Sequence, residues 1–313
     1  MSDLAVCLNA VAPIFFIMAL GYAIKRIGFI GREDVPRLNK LIFRVFMPVM
    51  LFYNIYRSEL SSALQPKLLI FSFTAVLIEY FVCFAAVIAR EKTQARRGVM
   101  IQGLYRSNFV IIGIPLVQSL MGADSDIGAV VMMIAVVVPT FNVLAVISLE
   151  LFNGTRPKIS RLILDILKNP LILGTAAGLL FLALGIKLPI AVEDTVAQIS
   201  NIVSPMLLFL LGVFFEFDGF KGNLKDLVFV SCGRLLIIPG VMLTLAYLLG
   251  FRGAEFAGLI CVFGSATAIA SFSMAQQMGG DAQLAGDIVI ATSAFCPLTL
   301  FLWTYVFKSL GAY

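Results

Sequence analysis

The chain has 313 residues, 60% of them hydrophobic and 13% charged, with a mean hydropathy of +1.00 and a net charge of +5. A soluble domain carries about twice that share of charge, so the composition is that of a multispanning membrane protein. Histidine is absent, which excludes Ser/His/Asp hydrolysis and most zinc chemistry.

Ten apolar runs approach the roughly 20 residues that a bilayer span requires: about 4–27, 38–56, 66–90, 99–120, 125–151, 169–186, 189–215, 226–250, 254–277 and 284–307. The first is too long for a cleavable signal and lacks a preceding basic region. Span 2 carries Pro48, with Leu51 and Asn54 just beyond it. Span 3 holds Glu79, an intramembrane charge suited either to carrying a coupling proton or to pairing with an arginine.

Span 4 contains RSNFVIIGIPL, Arg106 to Leu116. An arginine, a serine and an asparagine at mid-span are expensive in lipid, and Pro115 removes a backbone hydrogen bond. A discontinuous helix facing a water-accessible cavity explains the combination. Gly113 permits unusual dihedrals, Ser107 and Asn108 supply hydrogen-bonding groups, and Arg106 offers a charge-assisted fork to a carboxylate. The alternative is a kinked packing helix with Arg106 snorkelling to the interface.

Spans 5 and 6 are joined by GTRPKISRLILDILKNP, Gly154 to Pro170, which reads as a short amphipathic surface helix. Pro205, with Asn201 before it, makes span 7 the counterpart of span 2. Span 8 holds Arg234, a second intramembrane charge. Span 9 contains FGSATAIASFS, Phe263 to Ser273, whose small residues allow close backbone crossing and whose Ser265, Thr267, Ser271 and Ser273 supply hydroxyls. Ordinary small-residue packing explains this stretch equally well. The aspartates Asp124, Asp126, Asp281 and Asp287 flank short loops and are read as solvated. Cys7, Cys83, Cys232, Cys261 and Cys296 show no metal or redox spacing and are read as small core residues.

Charge sets the topology. Sixteen of the 23 basic residues fall in the loops after odd-numbered spans and five in the others, with Arg106 and Arg234 inside spans. The positive-inside rule then places both termini outside the cytoplasm. The basic loops need no nucleic acid to explain them. The chain also repeats itself: Pro48-x-x-Leu51-Phe52 recurs as Pro205-x-x-Leu208-Phe209, and Met121-Gly122-x-Asp124 as Met278-Gly279-x-Asp281, both 157 residues on. With five spans per copy, the second copy is inverted. Inverted repeats with broken helices and a midplane site are a transporter architecture.

Asn108-x4-Gly113-Ile114-Pro115-Leu116, in span 4 of such a layout, resembles the auxin efflux carrier family, as does Met47-Pro48 with Leu51-Phe52 in span 2. The family includes plant auxin exporters and bacterial carriers of malonate and related carboxylates. The resemblance implies an all-α membrane fold of the bile-acid-symporter and sodium/proton-antiporter type, with spans 4 and 9 unwound where they cross. It also implies a scaffold of spans 1, 2, 6 and 7 and a transport domain of spans 3–5 and 8–10. The repeats are 1–152 and 169–313, with 153–168 as cytoplasmic linker.

One departure is that Ala266 and Ala270 stand where family members often have proline in span 9, so the unwinding of span 9 is open. The expected function is alternating-access transport of small organic anions, mono- or dicarboxylates such as malonate, in a bacterial inner membrane. No cofactor is expected, with H+ or Na+ as candidate coupling ions and a homodimer as the candidate assembly. The expected substrate site is Asn108, Arg106, Ser107, Gly113, Pro115, Ser265, Thr267, Ser271, Leu51 and Asn54. Glu79, Arg234, Pro48 and Pro205 are the expected coupling or gating residues. A sodium-coupled symporter of the bile-acid type and a non-transporting anion sensor remain the alternatives.

Overall fold

A computed structural model of the chain describes residues 3–58, 65–110, 116–117, 128–153 and 159–313. Gly113, Pro115, Asp124 and Asp126 lie outside the described residues, as do 154–158 of the linker and the side chain of Cys7. The described residues are helical, with one isolated β-bridge and no strand.

The helices in chain order are α1 (Asp3–Arg26), α2 (Arg32–Tyr56), α3 (Pro66–Arg90), α4 (Gln94–Tyr105) and α5 (Gly128–Leu151). They continue with α6 (Ile159–Lys168), α7 (Pro170–Leu184), α8 (Ile190–Phe214) and the short α9 (Phe217–Gly222). The last four are α10 (Leu224–Leu248), α11 (Gly253–Gly264), α12 (Ala270–Gln277) and α13 (Ala282–Ser309). Six of them, Arg32–Tyr56, Pro66–Arg90, Val130–Leu151, Ile190–Phe214, Leu224–Leu248 and Ala282–Ser309, are long and apolar enough to cross a membrane. Shorter apolar helices, Pro170–Leu184 and Gly253–Gly264, accompany them.

Local signals set several of these boundaries. Asn169 caps α7 by accepting the Leu171 N–H at 3.0 Å, with Pro170 at the first helical position, where its missing N–H costs nothing. The helix stops at Gly185, whose φ of 63° is the left-handed conformation that glycine tolerates best. Pro48 and Pro239 each follow a π-helical turn, Ile42–Phe46 and Gly233–Ile237, and the wider turn accommodates a ring with no N–H to donate.

Two sets of helices pack among themselves. One is α1 with α8, α2 with α7, and α8 with α2. These crossings are close because glycine lets the backbones touch. Gly21 lies against the Phe209 carbonyl and Gly212 against that of Met18, while Gly174 meets Pro48 and Gly178 the Phe52 carbonyl. Gly178 is 157 residues after Gly21, and Phe209 is 157 after Phe52. The two contacts are therefore the same contact made twice, at the spacing of the sequence repeat.

The other set is α3 with α4 and α5, and α10 to α13 among themselves. Between the sets, near the α2 N-terminus, the Asn39 amide donates to Gln276 Oε1 at 2.8 Å and to the Ser273 carbonyl at 3.2 Å, and Ser273 Oγ donates to Asn39 Oδ1.

Two sequence expectations need correction. Cys83, Cys261 and Cys296 are buried as expected, but Cys232 is exposed, because it sits on the outward face of α10 beside the exposed Leu236 and Val228. Asp287 is buried and not solvated: it lies inside α13 and accepts from Asn223 and Gln283, each at 2.8 Å. Asp281 instead caps α13 through the Leu284 N–H.

Candidate functional site

The site is built where two helices stop. α4 ends at Tyr105 and α11 at Gly264, and the next residues, Arg106 and Ser265, are extended. Ser107 and Thr267 form an antiparallel bridge. The Asn108 N–H donates to the Ala266 carbonyl at 2.9 Å, and the Ala268 N–H donates to the Arg106 carbonyl at 3.1 Å. Each broken segment thus satisfies backbone groups that the other has freed, which is the condition for tolerating a break among buried residues. Span 9 does interrupt its helix without a proline. Its lost ladder is replaced by this pairing, by Thr267 Oγ1 donating to the Gly103 carbonyl at 2.7 Å, and by Thr292 Oγ1 accepting the Thr267 N–H at 3.2 Å.

Arg234 ties both helix ends together. It donates to the carbonyls of Tyr105 (3.1 Å), Leu104 (3.3 Å), Val262 (2.8 Å) and Ser265 (2.9 Å). A cation at two helix C-termini also meets the negative ends of two dipoles. Its charge is balanced by Glu79 Oε1 at 3.0 Å, and both side chains are fully buried. Of the two expectations for Glu79, the pair with an arginine is present. Glu79 and Arg234 do not line the central cavity; Glu79 instead borders an apolar groove of about 490 Å³ between α3 and α10.

The central cavity measures about 250 Å³ and opens beside the crossing. Arg106, Ser107 and Asn108 form one wall; Leu51 and Asn54 of α2 and Ser200, Asn201 and Ser204 of α8 face them; Phe141 and Asn142 of α5 close a side. Ala268–Ala270 bring the N-terminal end of α12 to the same space, a favourable dipole for an anion.

Arg106 is 4% exposed and makes no ion pair among the described residues. It does not snorkel. Its guanidinium donates to Asn142 Oδ1 at 2.7 Å and Gln102 Oε1 at 3.3 Å, and contacts Met274 Sδ. Because Asn142 must turn its oxygen toward Arg106, its Nδ2 points elsewhere, and that nitrogen is buried with no partner. Ser107 Oγ is likewise buried and unpartnered. The cavity thus presents an uncompensated cation beside two orphaned hydrogen-bonding groups, which is what a bound anion satisfies.

Of the expected substrate residues, the structure brings Asn108, Arg106, Ser107, Leu51 and Asn54 to one cavity. Ser265, Thr267 and Ser271 do not line it: the hydroxyls of Ser265 and Thr267 are bonded to the carbonyls of Cys261 and Gly103 inside the crossing, and Ser271 Oγ is buried without a partner. Pro48 and Pro205 lie off the cavity, Pro48 at the contact with Gly174. Asn142, Ser200 and Ser204 were not singled out from sequence. The signal for the last two was available, since residues four apart share one face of a helix.

A family model described as membrane transport protein matches residues 6–160 and 158–304. The chain is similar to an uncharacterized transporter of Methanothermobacter thermautotrophicus, 22% identical over 95% of this chain and 97% of the relative. It is also similar to one of Methanocaldococcus jannaschii, 19% identical over 96% and 98%.

Proposed function

Because the chain belongs to the membrane transport protein family, the auxin efflux carrier family that its span 4 resembles, we propose that it is a secondary carrier moving small organic anions by alternating access. The observation that carries this reading is Arg106, a buried cation with no counter-charge among the described residues, facing a cavity at the crossing of two broken helices. An isolated buried charge is costly, and a mono- or dicarboxylate supplies the missing partner.

The same reading takes the layout as ten spans in two inverted halves. The six long apolar helices, the shorter α7 and α11, and the contact made twice at a spacing of 157 residues support it. On this reading α1, α2, α7 and α8 are the scaffold, and the helices of spans 3–5 and 8–10 rock against it, carrying the crossing. The chain sits in a bacterial plasma membrane with both termini outside and H+ or Na+ as coupling ion; a reporter fused at Tyr313 that signals only from the cytoplasm overturns the topology.

The decisive experiment is uptake of labelled short carboxylates by the reconstituted protein, alongside a melting-temperature screen of the same compounds with and without sodium. Accumulation that requires the protein is the expected result. A carboxylate that stabilises the protein but never crosses makes it a sensor; sodium-dependent uptake favours a symporter of the bile-acid type.

A further inference from the structure

Three helices lead from the central cavity to one end of the bundle. α2 lines the cavity with Met50, Leu51 and Asn54, α8 with residues up to Leu207, and α12 with its first residue, Ala270. Followed toward the start of α2 and the ends of α8 and α12, these helices close on one another. Leu211, Phe214 and Phe272 are buried there. The Phe214 and Phe272 ring centroids are 5.2 Å apart, and Leu211 lies against Gly286 of α13.

Beside this apolar layer the contact turns polar. Asn39 of α2 is fully buried; its amide donates to the Ser273 carbonyl and to Gln276 Oε1, and its Oδ1 accepts the Ser273 hydroxyl. Three residues nearer the start of α2, the Pro36 carbonyl accepts Gln277 Nε2 at 3.2 Å, and Arg32 donates to Gln283 Oε1 at 2.7 Å. Asp287 holds Gln283 in that orientation by accepting its Nε2 at 2.8 Å. Asp281, two residues before Gln283, pairs with Arg96 at 3.1 Å, so this end of the bundle carries the basic connections.

These bonds join helices of the two packed sets, and they can be exchanged for bonds to water at small net cost. Gln276 Nε2 is buried without a partner, so parting the helices would satisfy a group that the closed contact leaves unpaired. A contact balanced in this way can break as well as form.

We propose, resting on the alternating-access reading, that Asn39, Ser273 and Gln276 form a latch that seals the cavity from the face bearing the basic loops. The carrier opens to that face by parting α2 from α12. One helix serves both tasks. α12 is eight residues long, about 12 Å, with the cavity at its first residue and the latch at its fourth and seventh. Arg106 contacts Met274 Sδ, next to Ser273, so the anion-facing cation and the latch are linked through one side chain.

The test uses the intact chain in vesicles of known orientation, with Ser204→Cys on the cavity wall as reporter. A charged, membrane-impermeant methanethiosulfonate is added to one face at a time, and labelling of the chain without the added cysteine is subtracted. Asn39→Leu leaves Ser273 Oγ and Gln276 Oε1 unpaired in the closed form, whereas water serves them in the open one. Labelling from the basic-loop face is expected to quicken about tenfold. Ser273→Ala, which takes a donor from Asn39 Oδ1, is expected to quicken it about threefold. In a separate protein, Pro36→Cys and Gln277→Cys are joined by a short bifunctional methanethiosulfonate. Carboxylate uptake is expected to stop, and to return on reduction.

If Asn39→Leu does not fold, Ser273→Ala decides. Labelling from the basic-loop face that stays at the unsubstituted rate in the folded variants overturns the latch. Uptake that continues through the cross-link overturns the parting of α2 from α12. A protein that takes up no carboxylate yet shows the labelling changes keeps the latch and loses the carrier reading.

Discussion

Arg234 and Arg106 are both buried near the helix crossing, and their surroundings differ in one respect that separates architecture from function. Arg234 has a carboxylate, Glu79, at 3.0 Å and four backbone carbonyls within 3.3 Å, so its charge is balanced and each of its nitrogens is bonded. Arg106 has an amide on either side and no carboxylate among the described residues, and it faces space. A protein that needs only to hold two helix ends together balances the buried charge, as around Arg234, even though Glu79 Oε2 is left buried without a partner. One that must attract a charged ligand leaves the network one charge short, as around Arg106.

The largest test of this contrast is Glu79→Gln. Removing one partner of a buried pair leaves the other uncompensated and costs on the order of 3–5 kcal/mol. We expect a large fall in melting temperature in detergent, most of it recovered when Glu79→Leu is combined with Arg234→Met. The carbonyls that Arg234 caps keep that recovery incomplete. A stable Glu79→Gln protein whose transport loses its pH dependence, with substrate exchange intact, breaks the contrast and assigns Glu79 to proton coupling.

Arg106→Gln sharpens the contrast from the other side. A hydrogen bond to a charged group is worth about 1.5–3 kcal/mol, so anion affinity should fall roughly ten- to a hundredfold. The ligand-free melting temperature should hold steady or rise, because the substitution removes a buried charge that nothing in the described residues balances. A loss of stability comparable to that of Glu79→Gln would make Arg106 a structural residue.

The sequence made Arg106 legible, because a charge beside Ser107 and Asn108 in an apolar run is conspicuous whatever the fold. The break in span 4 was legible for the same reason, although α4 ends at Tyr105, ahead of the glycine and proline of the motif. The break in span 9 was not. Ser265 to Ile269 contains no residue that forces a helix to stop; the stop is made by pairing with residues about 160 positions earlier and by Arg234 across the bundle. Non-local hydrogen bonds leave no periodic trace. Asn142 was missed in another way: a lone amide in an apolar span draws no notice until its oxygen is seen turned to Arg106.

That orientation gives a smaller prediction. Asn142→Ala removes an acceptor from Arg106 and a donor from the cavity, each worth about 1 kcal/mol. Affinity should fall roughly fivefold, mostly through weaker binding, with turnover at saturating substrate nearly unchanged. Residues acting through one network are not additive, so in the Arg106→Gln background the same substitution should have almost no further effect. Full additivity would detach Asn142 from the anion site.

The smallest effect belongs to a third arginine, one that is paired but only half-buried. Arg32, at the start of α2, pairs with Glu216 just after α8, donates to Gln283 Oε1 at 2.7 Å and lies over the Phe214 ring. The Arg32 hydrogen bond holds the Glu216 carboxyl below its ordinary value of 4.5. A carboxylate with a lowered folded-state value contributes stability above its unfolded value and loses it as pH falls through the folded one. The contribution is therefore constant through the neutral range and disappears only in acid. Solvent screens the pair, and such exposed bridges are worth about 0–1 kcal/mol. Glu216→Gln should thus shift the melting temperature slightly at neutral pH, not at all in strong acid, and less in high salt. If it matched Glu79→Gln, pairing alone would govern these arginines, and burial would lose its place as the feature that distinguishes Arg234 from Arg32.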